Sequence, residues 1–366
     1  MNKSILSVGA GNNQLPLIAA IQALGYKAIA CDINPLAPGS KTADIFINQS
    51  TYQAQPIIAE LQQRQLQPTA VLTRSTGQPV ITTAEIAQAL QLPGMTVQQS
   101  KIISHKQKLI NMLRQTGVPC PASYSLADDV PLPVFVKPAN TIKSHAAMGK
   151  CSTRDELLER YQQAKAVSDD NSVNIEEYLH GYDIVSIDFV SHGKVIHLCT
   201  VGEISAGAPA FDGLGWYSVP TDWDRLASAT FCQMQQALSL SHGFFQTAMK
   251  FNSQTRQAKI YEVHGEIGGD CVNDVYIPLH LNGYDVFANN IRLALGLPPE
   301  LPQAPTRPCI LIFQNKVQQY QLPITTPVTA TPYQHHQCLL YTFQSDADMQ
   351  KALGHFQGTN FSISGD

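Results

Sequence analysis

Two lysines and two acidic runs carry the residue types best suited to chemistry. Lys106 lies early in SHKQKLINMLRQT, Lys137 follows the apolar run in VFVKPAN, residues 175 to 183 read IEEYLHGYD, and residues 261 to 269 read YEVHGEIGG. Ammonium groups on independent elements can neutralise a polyanion such as a triphosphate while leaving room for a divalent cation. Carboxylates accept hydrogen bonds and suit a diol or an exocyclic amine. Glu262 also offers the hard oxygen that Mg2+ prefers. Each feature has a plainer explanation when taken alone. A lysine at a strand end before proline is commonly a solvated structural residue, and the 175 to 183 run could be an edge strand with solvated acids.

Other residues sit where a ligand would be met. Arg74, in LTRSTGQP, and Asp32, in CDINP, follow strand-like segments, and ligands of open α/β sheets bind beyond the carboxyl ends of the strands. Arg74 is a candidate for an anionic substrate and Asp32 a weaker one; either could equally cap a helix or loop. Gly9-Ala10-Gly11 after a strand invites a dinucleotide reading, but Gln14 stands where the third glycine of G-x-G-x-x-G belongs. The pair His335-His336 forms no metal-ligand spacing.

The elements that must position these residues alternate over the first hundred positions. Ser4 to Val8 is apolar and ends in a glycine turn, Leu15 to Leu24 has helical spacing, and Lys27 to Cys31 is strand-like again. A helix near Gln55 to Gln65, a strand at Ala70 to Leu72 and a helix near Thr82 to Leu90 continue the order. That pattern predicts a parallel sheet covered by helices. The helix at Ser104 to Thr116 ends at Gly117, and the prolines of VPCP prevent its continuation. Beyond it come a strand at Val134 to Val136, a polar loop from Asn140 to Lys150, the helix TRDELLERYQQAKA and a strand entering IEEYLHGYD. Strands at Ile187 to Val190, Val195 to Thr200, Phe244 to Lys250 and Ile260 to Val263, with a helix at Arg225 to Leu238, precede a proline-rich turn at Pro302. Strand candidates at Cys309 to Phe313 and Cys338 to Phe343 follow.

With 366 residues and 44% apolar content the chain can bury a large core in two or three packed sub-domains. Its 24 basic and 28 acidic residues give a net charge of -4, with no single-sign field to draw nucleic acid or an anionic membrane. Small molecules are the better-matched partners. The eight cysteines contain no C-x-x-C pair, so reduced, partly buried thiols are expected. The N-terminal apolar run is too short for a signal segment, which points to the cytoplasm. Oligomeric state has no signature here, and a homodimer is carried as an expectation only.

Read together, Lys106, Lys137, IEEYLHGYD and Glu262 resemble, in order and spacing, the ATP-grasp superfamily of carboxylate–amine ligases. The opening VGAGNNQLPLIAAIQALGYKAIACDINPLAPG is similar to the N-terminal domain of carbamoyl-phosphate-synthetase-like and purine-biosynthetic members, and SHKQKLINMLRQTGVPCP to their lysine-bearing helix. The resemblance implies an α/β ATP-grasp fold: a parallel α/β domain over 1–117, a lid lobe over 118–185, a larger lobe over 186–302 and a short β-rich region over 303–366. It implies ATP and Mg2+ as cofactors. Lys106, Lys137 and Ser144 would hold the phosphates. Glu176 would accept from the adenine amino group, the Glu177 to Leu179 backbone would read the ring edge, and Asp183 would bond the ribose. Glu262 would hold the metal, with His264 as a second candidate ligand.

The same comparison marks departures. His264 stands in place of an asparagine ligand, Glu266 in place of a catalytic arginine, and Ala248 about where a second metal glutamate would lie. The loop after Lys137 has Gly149 alone, so that Lys143, Ser144 or His145 would substitute for backbone cradling. The function implied is a ligase that phosphorylates a carboxylate and lets an amine attack the acyl phosphate, releasing ADP and phosphate, with Lys137 and Glu266 as catalytic candidates. The alternative is a relative that has lost chemistry and serves as a nucleotide-binding or interaction subunit. An NAD-dependent oxidoreductase, from the glycine turn, ranks third.

Overall fold

The computed structural model describes residues 3–127, 129–139, 147–206, 212–305, 308–313, 315–316, 329–333, 336–357 and 361–362. The first hundred residues fold as their alternation predicts. Strands β1 (Ser4–Val8), β2 (Lys27–Cys31), β3 (Ile45–Ile47) and β4 (Pro68–Thr73) form a parallel sheet in the order β3-β2-β1-β4. Successive side chains of a strand point to opposite faces, so each strand feeds two cores. Leu6, Val8, Ile29, Cys31 and Val71 pack against Ile57, Ile58 and Leu61 of helix Ala54–Gln63. Ile5, Ala28, Ala30 and Leu72 join Leu17, Ile18 and Ile21 of helix Leu15–Ala23 in a second core. That second core continues into Val185, Ile187 and Phe189 and so unites the N-terminal sheet with the large sheet described below.

Helix Lys106–Gln115 begins after His105 and ends before Gly117, whose φ of 74° suits a residue without Cβ. A separate helix, Val97–Ile103, precedes it, capped by Thr96 and Gln99 in a reciprocal pair of hydrogen bonds.

The segment expected to form a lid lobe contains a four-stranded antiparallel sheet of β5 (Ser123–Tyr124), β6 (Val134–Pro138), β7 (Gly149–Cys151) and β8 (Val173–Glu177), in the order β5-β8-β6-β7. Val134, Val136 and Ile175 turn one face onto Leu157 and Ala164 of helix Arg154–Val167. The opposite face therefore carries Phe135, Lys137, Asn174 and Glu176.

The large sheet runs β13-β12-β9-β10-β11-β14-β16-β15, with β17 (Phe361–Ser362) on β10. Its strands are β9 (Tyr182–Ser191), β10 (Lys194–Ala206), β11 (Gly213–Ser218), β12 (His242–Asn252), β13 (Gln257–His264), β14 (Cys309–Phe313), β15 (Thr329–Tyr333) and β16 (His336–Thr342). The strands after Pro302 extend this sheet through the β11 to β14 pairing. Helix Thr221–Ala237 covers one face with Ala227, Phe231 and Met234. Helix Asp346–Gln357 follows β16, where the sequence pattern predicted strands alone. All eight cysteines are free thiols, and no described helix is long and apolar enough to cross a membrane.

Candidate active site

The link from β8 to β9 requires a glycine. Gly181 has φ 127°, and a Cβ there would lie 2.2 Å from the carbonyl oxygen of Phe251 on β12. The chain thus presses against the large sheet as it leaves the lid lobe. It carries Glu176 and Glu177 at the end of one sheet and Asp183 near the start of the next.

Each of these acids meets a lysine. Lys137 Nζ lies 2.7 Å from Glu176 Oε2, in a pair whose side chains are 11% and 5% exposed. Lys259 Nζ lies 2.6 and 2.8 Å from the two Glu177 oxygens and joins β8 of the lid to β13 of the large sheet. Lys250 Nζ lies 2.7 Å from Asp183 Oδ2, and Tyr261 donates to Asp183 Oδ1 at 3.3 Å. Tyr261 is the extra residue of a bulge, since Ala248 pairs with Glu262 and Met249 with Ile260. Bulges re-aim side chains. Leu179 sits half-buried between the two sheets in sequence.

Glu262 is the meeting point of the site. Lys106 Nζ lies 3.1 Å from its Oε1 and His264 Nε2 lies 3.9 Å away. Burial would raise its carboxyl, but His264, Lys106 and Lys137 outweigh burial and hold it at about 2. Glu262 is therefore ionised throughout the physiological range. His264 Nδ1 lies 3.3 Å from Oε1 of the buried Glu266. Burial pulls the imidazole down, yet Glu266, Glu262 and Asp270 raise it to about 9. Ala248 stands directly opposite Glu262 in the ladder.

Arg74 and Asp32 are engaged by the protein itself. The Arg74 guanidinium is buried, donates to the carbonyls of Asn13 (2.9 Å) and Gly268 (2.9 and 3.2 Å), pairs with Asp274 and lies 5.0 Å from the Phe287 ring centre. It fastens the glycine segment after Glu266 to the N-terminal domain. Asp32 accepts from the backbone N–H groups of Ala10 (3.1 Å) and Asn34 (2.9 Å), which closes the turn after β1. Gln14, in the place of the third glycine, donates to the Arg74 carbonyl and to Ser75 Oγ. A dinucleotide cradle would need that space and the Ala10 N–H. Ser144, with Lys143 and His145, lies outside the described residues.

Two residues escaped the sequence reading. Glu203 of β10 is half-buried, and burial together with Asp183 and Asp270 pushes its carboxyl up to about 8. Asn174 shares a strand face with Glu176. Neither carries a local signal, since a polar residue in HLCTVGEISA or SVNIEE reads as facing solvent until the sheet partners are known. Beside the site, a cavity of about 70 Å3 opens between β4, helix Gln78–Ala89, β12 and helix Val286–Ala294, with Thr83, Met95, Phe244 and Glu266 in its wall. Neither Lys106 nor Lys137 lines it.

A parallel α/β domain followed by two antiparallel lobes joined through such a hinge is the ATP-grasp fold, and comparison with solved structures bears this out. The chain superposes on phosphoribosylglycinamide synthetase from Anaerococcus prevotii with TM-score 0.74 and 15% identity, over 99% of each chain. It superposes on an L-amino acid ligase from Bacillus licheniformis with TM-score 0.71 and 16% identity, over 98% of each. A carboxyaminoimidazole ribonucleotide synthase from Aspergillus clavatus, solved with ATP, gives TM-score 0.70 and 15% identity, over 98% of this chain and 97% of that one. In sequence, the large chain of carbamoyl phosphate synthase from Thermotoga neapolitana is 23% identical over 197 residues, 50% of this chain. The chain spans only 18% of that protein's length in the match. No family model matches the chain.

Proposed function

We propose that the chain is an ATP-dependent ligase that joins a carboxylate to an amine through an acyl phosphate. The observation that carries this reading is the ion pair of Lys106 with Glu262 at 3.1 Å, beside the Lys137–Glu176 pair, whose ammonium helps to hold the Glu262 carboxyl down. Two ammonium groups beside one hard-oxygen carboxylate match a triphosphate taken up with a divalent cation. The likeness in fold to a synthase solved with ATP and to an amino acid ligase supports the same assignment.

In this reading Lys137 exchanges its contact with Glu176 for the phosphates, and Glu176 turns to the adenine amino group. The Glu177 to Leu179 backbone reads the ring, and Asp183, fixed by Lys250 and Tyr261, accepts from the ribose hydroxyls. The donor set fits magnesium. Glu262 is ionised, and Mg2+ is commonly held by one or two carboxylates with the remaining positions filled by phosphate and water oxygens. When bound it offsets the charge that builds on the phosphate oxygens. Ala248, opposite Glu262, leaves Glu262 as the proposed protein ligand on this pair of strands, with His264 as its charged neighbour rather than a second ligand.

The substrate carboxylate attacks the γ-phosphorus, the bond to the ADP oxygen breaks, and the amine then attacks the acyl carbon and expels phosphate. Positioning and charge neutralisation supply the rate. By the resemblance in sequence, Glu266 stands where an arginine is expected. A buried carboxylate there suits an ammonium better than an acid, so it belongs to the amine side of the reaction, next to the cavity that it lines. Titration calorimetry with ATP and Mg2+ tests the binding half of the reading: saturable binding that depends on the metal and weakens about 10- to 100-fold in Lys137→Ala supports it, and absence of binding overturns it.

A further inference from the structure

The lid sheet contains an amide with nothing to bond. Asn174 is 3% exposed, and among the described residues neither its Oδ1 nor its Nδ2 has a hydrogen-bond partner. Buried amides are nearly always satisfied, because leaving them unmade forfeits the hydration they had in the unfolded chain. An orphan of this kind is therefore informative.

Its position is fixed by register. Asn174 lies opposite Lys137 in the β6 to β8 ladder and two residues before Glu176, so all three share the face turned away from the lid core. Lys137 reaches diagonally across to Glu176 at 2.7 Å. The amide stands on the far side of that pair from the hinge, and it presents an acceptor and a donor side by side.

A ligand edge that satisfies both atoms must carry an adjacent donor and acceptor. The 6-amino group and N7 of adenine form such an edge and pair with an Asn amide in a bidentate manner, whereas guanine presents two acceptors, O6 and N7, along the same edge. We propose that Asn174 is a base-specificity residue that receives the N7 and 6-amino edge of adenine and discriminates against guanine. This inference rests on the ATP reading above.

The test compares ATP, 7-deaza-ATP and GTP as ligands of the full chain in the presence of Mg2+. 7-Deaza-ATP keeps the amino group and loses only the N7 acceptor, so it reports the Asn174 donor alone. The unmodified chain should bind 7-deaza-ATP about 10-fold more weakly than ATP, the worth of one buried hydrogen bond, and GTP more weakly still. Asn174→Leu, similar in volume but apolar, loses both bonds and should bind ATP about 10- to 100-fold more weakly than the unmodified chain, and it should no longer distinguish ATP from 7-deaza-ATP. A purely structural role would weaken all three nucleotides alike and leave their ratios unchanged, which would overturn the proposal. Equal binding of ATP and 7-deaza-ATP by the unmodified chain would overturn it without any variant, should Asn174→Leu fail to fold. Absence of ATP binding altogether would instead overturn the nucleotide reading, and this inference with it.

Discussion

Lys259 and Glu177 form a two-pronged ion pair, 2.6 and 2.8 Å, between the last residue of the lid strand β8 and the large-sheet strand β13. The contact is seconded by the backbone, because Ile260 N–H of β13 donates to the Pro119 carbonyl. Charge and backbone together set the spacing of the two sheets at the hinge. Three residues on from Lys259 the same strand presents Glu262, so the pair also fixes where Lys137 stands relative to Glu262.

Lys259→Met tests that coupling. Both side chains are partly exposed, so stability should fall by no more than about 1 kcal/mol, whereas ATP binding should weaken several-fold because the lid is no longer held in register. A chemical denaturation curve and a calorimetric titration on the same preparation check both halves.

Lys137→Ala should weaken ATP binding by about 10- to 100-fold, the worth of a charge-assisted hydrogen bond to a phosphate. It also leaves Glu176, now nearly buried without its cation, uncompensated. Lys137→Met with Glu176→Gln should restore stability but not binding, which separates the two roles in one set of thermal melts and titrations.

Far from the proposed ATP contacts, His197 of β10 bridges two acids, with Nδ1 2.8 Å from Asp188 and Nε2 2.9 Å from Asp224. Burial opposes its charge, but the two carboxylates raise it from 6.5 to about 10. A folded value above the ordinary one means that the stabilisation is complete below pH 6.5 and is lost as pH rises through about 10. His197→Ala should cost about 3 kcal/mol at neutral pH, since it strands the buried Asp188. The variant's stability should also approach that of the parent above pH 10. Urea titrations across this range measure both.

Gly181→Ala should destabilise by about 3 kcal/mol or more, because the added carbon would meet the Phe251 carbonyl and the left-handed φ disfavours any side chain. Thermal unfolding reads this directly. A milder loss would mean that the hinge can shift away from β12.

Much of this architecture was legible in the sequence because local pattern carries it. The strand and helix alternation of the first hundred residues, the helix ending at Gly117 and the lysine at the end of VFVKP are all set by neighbours a few positions apart. Arg74 shows where that reading stops: its partners Gly268 and Asp274 lie 194 and 200 residues away in sequence, so nothing local distinguishes a buried clamp from a ligand contact. Glu203 and Asn174 failed for a different cause. Each sits in a strand whose inward face is visible, but a polar residue there reads as an outward one until the sheet order supplies its neighbours. The strands after Pro302 read only as a short β-rich region because their partner, β11, lies more than ninety residues earlier in the chain.

The proposed ligase chemistry requires that phosphoryl transfer to a carboxylate precede bond formation to an amine. The most direct measurement supplies Mg2+, ATP and pairs of carboxylates and amines, one acid in each pair labelled with 18O in its carboxyl group, and follows ADP and the mass of the released phosphate. The predicted result is ADP formation that requires both partners, with one labelled oxygen appearing in the phosphate. ATP binding with no ADP above background across a broad panel of acids and amines, or turnover that leaves the phosphate unlabelled, would contradict it.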